Sequence, residues 1–139
     1  NLNGVKSGSI SAAPVQMPPG WRFMNGYLGG PQADLTWANL ATLDLSGMNL
    51  SGAIFNNAVL TSTNFTRADL SQVDIRKAGI TGTVFLRADL TNADFSGGYG
   101  KPAVYTNTAF LNTTCPDGAR VTSPRACWET LVFVSEVQR

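Results

Sequence analysis

Six aspartates, Asp34, Asp44, Asp69, Asp74, Asp89 and Asp94, are the side chains of this sequence best suited by type to acid–base chemistry. Two carboxylates facing one cleft could serve as acid and base. Their spacing is too regular for that. All six stand immediately before a large apolar residue, and Asn39, Asn49 and Asn64 hold the same place in neighbouring segments. An amide cannot act as a general base, so a place shared by Asp and Asn points to a structural or solvation role. The chain has no histidine, which removes imidazole-based triads and zinc sites. No nucleophile–base pair or metal-ligand cluster can be assembled, so the chain reads as a non-enzyme with no cofactor.

Cys115 and Cys127 lie in one short stretch with Pro116, Gly118 and Pro124. An even count in a loop context favours a disulfide in an oxidising compartment, with two reduced thiols in a cytosolic loop as the alternative. Residues 1–10 lack an initiator Met, a basic segment and an apolar segment, so a mature chain with its signal removed is expected, secreted or extracytoplasmic. The sequons at Asn49, Asn64 and Asn112 carry little weight, because the first two arise from a repeat. With 139 residues there is room for about one domain. Ten basic against nine acidic residues give a net charge of +1. That leaves no surplus to neutralise phosphates, so nucleic acid is not an expected partner. No apolar run approaches the roughly 20 residues that cross a bilayer, so no membrane span is expected.

The carboxylates are placed by a period of five. Leu35, Leu40, Leu45, Leu50, Phe55, Leu60, Phe65, Leu70, Ile75, Ile80, Phe85, Leu90 and Phe95 recur without a slip. A mostly small residue stands two before each, such as Ala33, Ala53, Ala68 and Ala88; Leu43, Met48, Thr63, Val73 and Thr83 are exceptions. Five residues advance an α-helix by about 500°, which would scatter the large residues round the axis. In a straight strand an odd period alternates faces. A bend once per unit resolves both conflicts. Gly47, Gly52, Gly82, Gly97, Asn57 and Asn92 fill the last place of their units, where a corner needs turn-tolerant residues. The chain must coil as a solenoid around an apolar axis.

Units such as ADLTW, ANLAT, ADLSQ and ADFSG resemble the A(D/N)LXX unit of the pentapeptide-repeat family, in thirteen consecutive copies over residues 33–97. After an irregular GGYGK the pattern resumes as AVYTN and TAFLN. The flanks GWRFMNGYLGGPQADL and FLNTTCPDG look like those of secreted members. The resemblance implies an all-β fold, a right-handed quadrilateral β-helix with four units and twenty residues per coil. About four coils then occupy residues 33–112, with capping strands at both ends. Residues 1–20 are expected to be a flexible arm and 21–32 an N-terminal cap, where Trp21, Phe23 and Tyr27 suit a lid strand. Residues 113–139 form the other cap, with the Cys115–Cys127 loop and a strand over 130–134. Gly100 interrupts one inward column, so residues 98–102 are expected to form a bulge or loop. Leu43 and Met48 suggest a first coil that is wider or packed differently.

Some members of the family bind DNA gyrase as acidic, rod-like DNA mimics. Here residues 33–112 carry six Asp against Arg67, Arg76, Lys77, Arg87 and Lys101, a net of −1, which speaks against mimicry. Arg67 and Arg87 should stack twenty residues apart, as a recognition patch or as a solvated edge. Trp37 and Tyr99 are claimed by no core position and could contact a sugar. The outward Ser and Thr positions are interrupted on every face, unlike an ice-binding array. The expected function is a rigid interaction solenoid presenting flat faces to an unidentified protein or glycan, as a monomer or weak oligomer. A ligand binder or toxin-like effector working through the caps and exposed aromatics is the alternative.

Overall fold

A segment with one bend every five residues exposes its backbone at each corner, and those groups must find partners. The computed structural model describes residues 2, 4, 7–123, 127 and 128, and its corners from Leu35 to Gly98 are all built alike. The N–H after each corner donates to the carbonyl of the large residue before it, as in Ala38 to Leu35 (3.0 Å) and Ala93 to Leu90 (3.0 Å). The last residue of each of these units takes a positive φ, which lets a four-residue turn close. Gly47, Gly52, Gly82, Gly97, Asn57 and Asn92 do so at φ of 59 to 71°. So do Trp37 and Thr42 (64° each), Ser62, Arg67, Gln72, Lys77 and Arg87. The corner imposes this conformation even on residues that resist it.

Between corners the short sides pair in parallel with residues twenty places on, from Asp34 with Ile54 through to Asp94 with Thr114. Four corners therefore separate a residue from the one stacked on it. The inward column Leu35, Phe55, Ile75, Phe95 is fully buried, as are Leu40, Leu60 and Ile80; Leu45, Phe65 and Phe85; and Leu50, Leu70 and Leu90. Each such side chain contributes on the order of 1.5–3 kcal/mol. The phenylalanines touch from coil to coil: Phe65 stacks on Phe85 (centroids 5.7 Å), which meets Phe95 edge-on (6.0 Å). The exceptions to the small position are accommodated individually. Thr63, Thr83 and Thr113 are buried, but their hydroxyls donate to the carbonyls of Leu40, Leu60 and Leu90, which removes the penalty for an unpartnered group.

Residues 98–102 keep the register instead of bulging from it. Tyr99 pairs with Gly79, and the Ile80 and Gly82 amides still donate to the Tyr99 and Lys101 carbonyls. Gly100 takes the place of the large residue, and Pro102 is buried nearby. Only the corner differs: the Ala103 amide donates to Thr83, twenty residues back. The pairing also runs past residue 112 to Thr114, and Cys115 occupies the inward place above Phe95.

Below the first coil lies an antiparallel hairpin, β1 (Arg22–Met24) and β2 (Tyr27–Gly29). Asn25 and Gly26 form its turn, both at positive φ, the Asn-Gly pairing that suits a two-residue hairpin loop. Met24 joins the core, with Trp21, Tyr27 and Leu43 packed against it. Met48 lies toward the hairpin, 3.5 Å from where a Cβ on Gly29 would sit. The large residues of the first coil thus meet the hairpin where later coils meet one another. Residues expected to form an arm touch this hairpin. The Ser7 hydroxyl accepts from the Leu28 amide, and the Ile10 amide donates to Gly26. Above the last coil, β3 (Thr113–Thr114) pairs with β4 (Arg120–Val121). Cys115 and Cys127 are joined by a disulfide, Cα–Cα 5.1 Å. It brings down Trp128, which packs on Phe95, Tyr105 and Phe110 at 5.3–5.6 Å. The strand expected over 130–134 lies outside the described residues.

Candidate functional site

The Asp and Asn positions have a specific job. In the unit from Ala68 to Gln72 the backbone supplies partners for four of five amides: Ala68 to Phe65, Asp69 to Met48, Leu70 to Asp89 and Gln72 to Thr91. The Ser71 amide is left over, and the Asp69 Oδ1 accepts it at 3.0 Å. The same bond, at 2.9–3.4 Å, recurs from Asp34, Asn39, Asp44, Asn49, Asn64, Asp74, Asp89 and Asp94. Asp and Asn share the one atom this needs, a carbonyl-type oxygen two residues before the amide. Asp69 stacks beneath Asp89 and Asp74 beneath Asp94, but each of these carboxylates accepts the amide of its own unit, and no cleft brings two of them together as an acid–base pair.

Their electrostatics follow from those bonds. Hydrogen bonds from the Ser46 side chain and amide hold the Asp44 carboxyl below the usual carboxylate range, helped by Arg22 and Asn64. At Asp74 partial burial works in the opposite direction, but hydrogen bonds from Arg76 and Asn56 outweigh it and lower the carboxyl. Arg76 grips Asp74 with two donors, at 2.7 and 2.6 Å, the only ion pair found among the described residues.

The four surface residues singled out from sequence fall on two edges of the coil. Arg67 and Arg87 stack in one corner column, both exposed, between the sides that carry Val84 and Asp89. Neither forms an ion pair with Asp69 or Asp89. Trp37 belongs to the diagonally opposite corner column, with Asn57, Lys77 and Gly97, and is 70% exposed. Tyr99, 60% exposed, lies two residues beyond Gly97 on the adjoining side. Trp37 and Tyr99 therefore share an edge at opposite ends of it, and the arginines lie elsewhere.

Between the two aromatics the same edge holds a shallow depression of about 170 Å³ lined by Asn56, Asn57, Arg76 and Lys77. Asn56 donates through Nδ2 to Asp74 (3.1 Å), while its Oδ1 is buried without a partner among the described residues. These four residues escaped the sequence reading, although a twenty-residue step places 56 beneath 76 and 57 beneath 77. Among the described residues no group of Cys, Asp or Glu side chains could hold a metal ion. No helix is long and apolar enough to cross a membrane.

The model of the pentapeptide-repeat family matches residues 33–72 and 68–98, in eight copies. The chain is a pentapeptide-repeat protein. Solved pentapeptide-repeat structures resemble it over part of its length. One is that of QnrB1, a plasmid-mediated fluoroquinolone resistance protein, with 26% identity over 58% of this chain and 42% of that one, at a TM-score of 0.54. HetL, involved in heterocyst differentiation regulation in the cyanobacterium Nostoc, is 24% identical over 64% of this chain and 39% of its own, at 0.47. A pentapeptide-repeat protein of the Arabidopsis thaliana thylakoid lumen is 20% identical over 75% of each chain, at 0.40. This pentapeptide-repeat chain thus spans about two fifths of the length of the first two. No curated protein matches it. Members of the family fold as right-handed quadrilateral β-helices and are generally non-enzymatic structural or interaction proteins.

Proposed function

We propose that this pentapeptide-repeat protein is a rigid, non-enzymatic scaffold of about four coils, closed by a cap at each end, that offers its outer faces to a macromolecular partner outside the cytoplasm. The observation that carries the reading is the commitment of the repeat's chemistry to its own backbone. Nine Asp or Asn side chains each accept a main-chain amide of the same unit, and the axis is filled. What remains free to act is the surface between them. The Cys115–Cys127 disulfide favours an oxidising compartment. DNA mimicry fits poorly: a shaft of about 20 Å would need roughly 12 negative charges to match duplex DNA, and residues 33–112 have a net of −1.

A face-by-face substitution tests this. Thr36→Arg, Thr61→Arg, Thr66→Arg and Ser71→Arg each add one long cation to a different side. Immobilised protein should capture a macromolecule from the extracytoplasmic fraction of its source, and one of the four variants should lose it while the others retain it. Equal capture by all four, or none by the parent chain, would contradict the scaffold reading.

A further inference from the structure

The edge that joins Trp37 to Tyr99 carries three features in sequence along it: an exposed aromatic at each end and a depression between them. At the corner of the first coil, Trp37 holds a φ of 64°. For a bulky residue that conformation costs on the order of 1–2 kcal/mol, and a side chain 70% exposed recovers little of it by burial. The corner imposes that φ on every unit from Leu35 to Gly98; what sets Trp37 apart is a large aromatic ring left in solvent at a place its neighbours in the column give to Asn57, Lys77 and Gly97.

At the top of the edge, Tyr99 occupies the position that elsewhere holds the amide-accepting Asp or Asn. The residue beneath it in the stack is Gly79. A Cβ on Gly79 would lie 2.8 Å from each of Cε2, Cζ and Oη of Tyr99. A point that far from all three atoms must stand well out of the ring plane. The ring therefore rests with one face on the backbone at Gly79 and turns the other to solvent. Gly79 has no positive φ that would require a glycine, and the same position carries Val59 one coil below. Its missing side chain makes room for the ring.

Between the aromatics lies the depression lined by Asn56, Asn57, Arg76 and Lys77. Asn56 is fixed there by its bond to Asp74, with its Oδ1 turned away from solvent. The Lys77 ammonium and Asn57 amide add donors nearby. Along the column Trp37, Asn57, Lys77, Gly97, three coil steps cover about 14 Å.

We infer that this edge binds an oligosaccharide strand lying along the coil axis. Sugar rings pack their C–H faces on Tyr99 and Trp37, and hydroxyls exchange hydrogen bonds with Asn57 and Lys77 in the depression. The inference rests on the scaffold reading and names its partner. Charge supports a weakly charged ligand: Asp34, Asp74 and Asp94 on this side nearly cancel Arg76 and Lys77, so a phosphodiester chain gains nothing here. An apolar peptide would need a continuous apolar strip, and the middle of the edge is amide, ammonium and guanidinium.

The test titrates cellohexaose, chitohexaose, xylohexaose and mannohexaose into the folded protein, read by calorimetry and tryptophan fluorescence. At least one should bind, and Trp37→Ala and Tyr99→Ala should each weaken it by about tenfold. Gly79→Ala should weaken it comparably, because the new methyl lifts the Tyr99 ring without removing it. Arg67→Ala, on the opposite corner, should leave binding unchanged. All four variants should keep the parent's circular dichroism and melting temperature. No binding by any of the four sugars would overturn the inference, as would binding that survives the double Trp37→Ala, Tyr99→Ala variant or is lost equally with Arg67→Ala. If the sugars fail while a face variant still abolishes capture of a protein, the scaffold reading stands and the glycan inference falls.

Discussion

At the scale of single residues, the chemistry of this chain is turned inward on its own backbone. Asp69 shows why: four amides of its unit are served by neighbouring carbonyls, and the fifth needs a side-chain oxygen within two residues. Charge is incidental to that task. Asp89, which accepts the Thr91 amide at 2.9 Å, should therefore tolerate replacement by Asn within about 0.5 kcal/mol, whereas Asp89→Ala should cost about 1 kcal/mol in urea unfolding. Equal losses in the two variants would assign the role to charge. That Asp and Asn are interchangeable was legible in the sequence. Which amide they serve was not, because it depends on the partners of every other amide in the coil. The pairing of Tyr99 with Gly79 was within reach of the sequence, since a step of twenty back from 99 lands on a glycine. The period gives the neighbour, though, and only coordinates give the ring's attitude.

At the scale of elements, the corner decides what each unit can be. The period of five demanded a bend, and the positions of Gly47, Gly52, Gly82 and Gly97 located it correctly. The same corner forces Thr42, a β-branched residue, to a φ of 64° while its side chain stays exposed. Thr42→Gly should therefore raise stability by about 1 kcal/mol, measured as a higher urea midpoint with an unchanged slope; a loss would mean that the bond from its hydroxyl to the Ala41 carbonyl (2.6 Å) outweighs the strain. The segments at the two ends of the coil were less legible. Asn25-Gly26 carries a hairpin signal in plain text, but the alternating aromatics around it read equally well as a single lid strand. Trp128 follows Cys127 in sequence, and nothing local says that a disulfide will carry it onto Phe95. Residues 98–102 form an altered corner without a bulge for a related reason. A glycine in a core position looks like a break, yet neighbouring coils held the backbone in register and Pro102 is buried beside it.

At the scale of the whole molecule, twenty residues per coil converts one-dimensional spacing into columns, and columns make the candidate surface. Arg87 above Arg67 on one corner, and Trp37, Asn57 and Lys77 on the opposite one, are neighbours only because the repeat never slips. Any shift of register would scatter both groups and dissolve the edge on which ligand recognition is proposed. Cysteine cross-linking reads that register directly. A double variant with Arg67→Cys and Arg87→Cys brings two thiols onto stacked backbones about 4.8 Å apart, inside the range that a disulfide spans. A second, with Arg67→Cys and Lys77→Cys, puts them on opposite corners. Mild oxidation followed by peptide mass mapping should find an intramolecular bond between positions 67 and 87 in the first, beside the native Cys115–Cys127 bond, and none between 67 and 77 in the second. A bond in both, or in neither, would contradict the twenty-residue coil and the surface built on it.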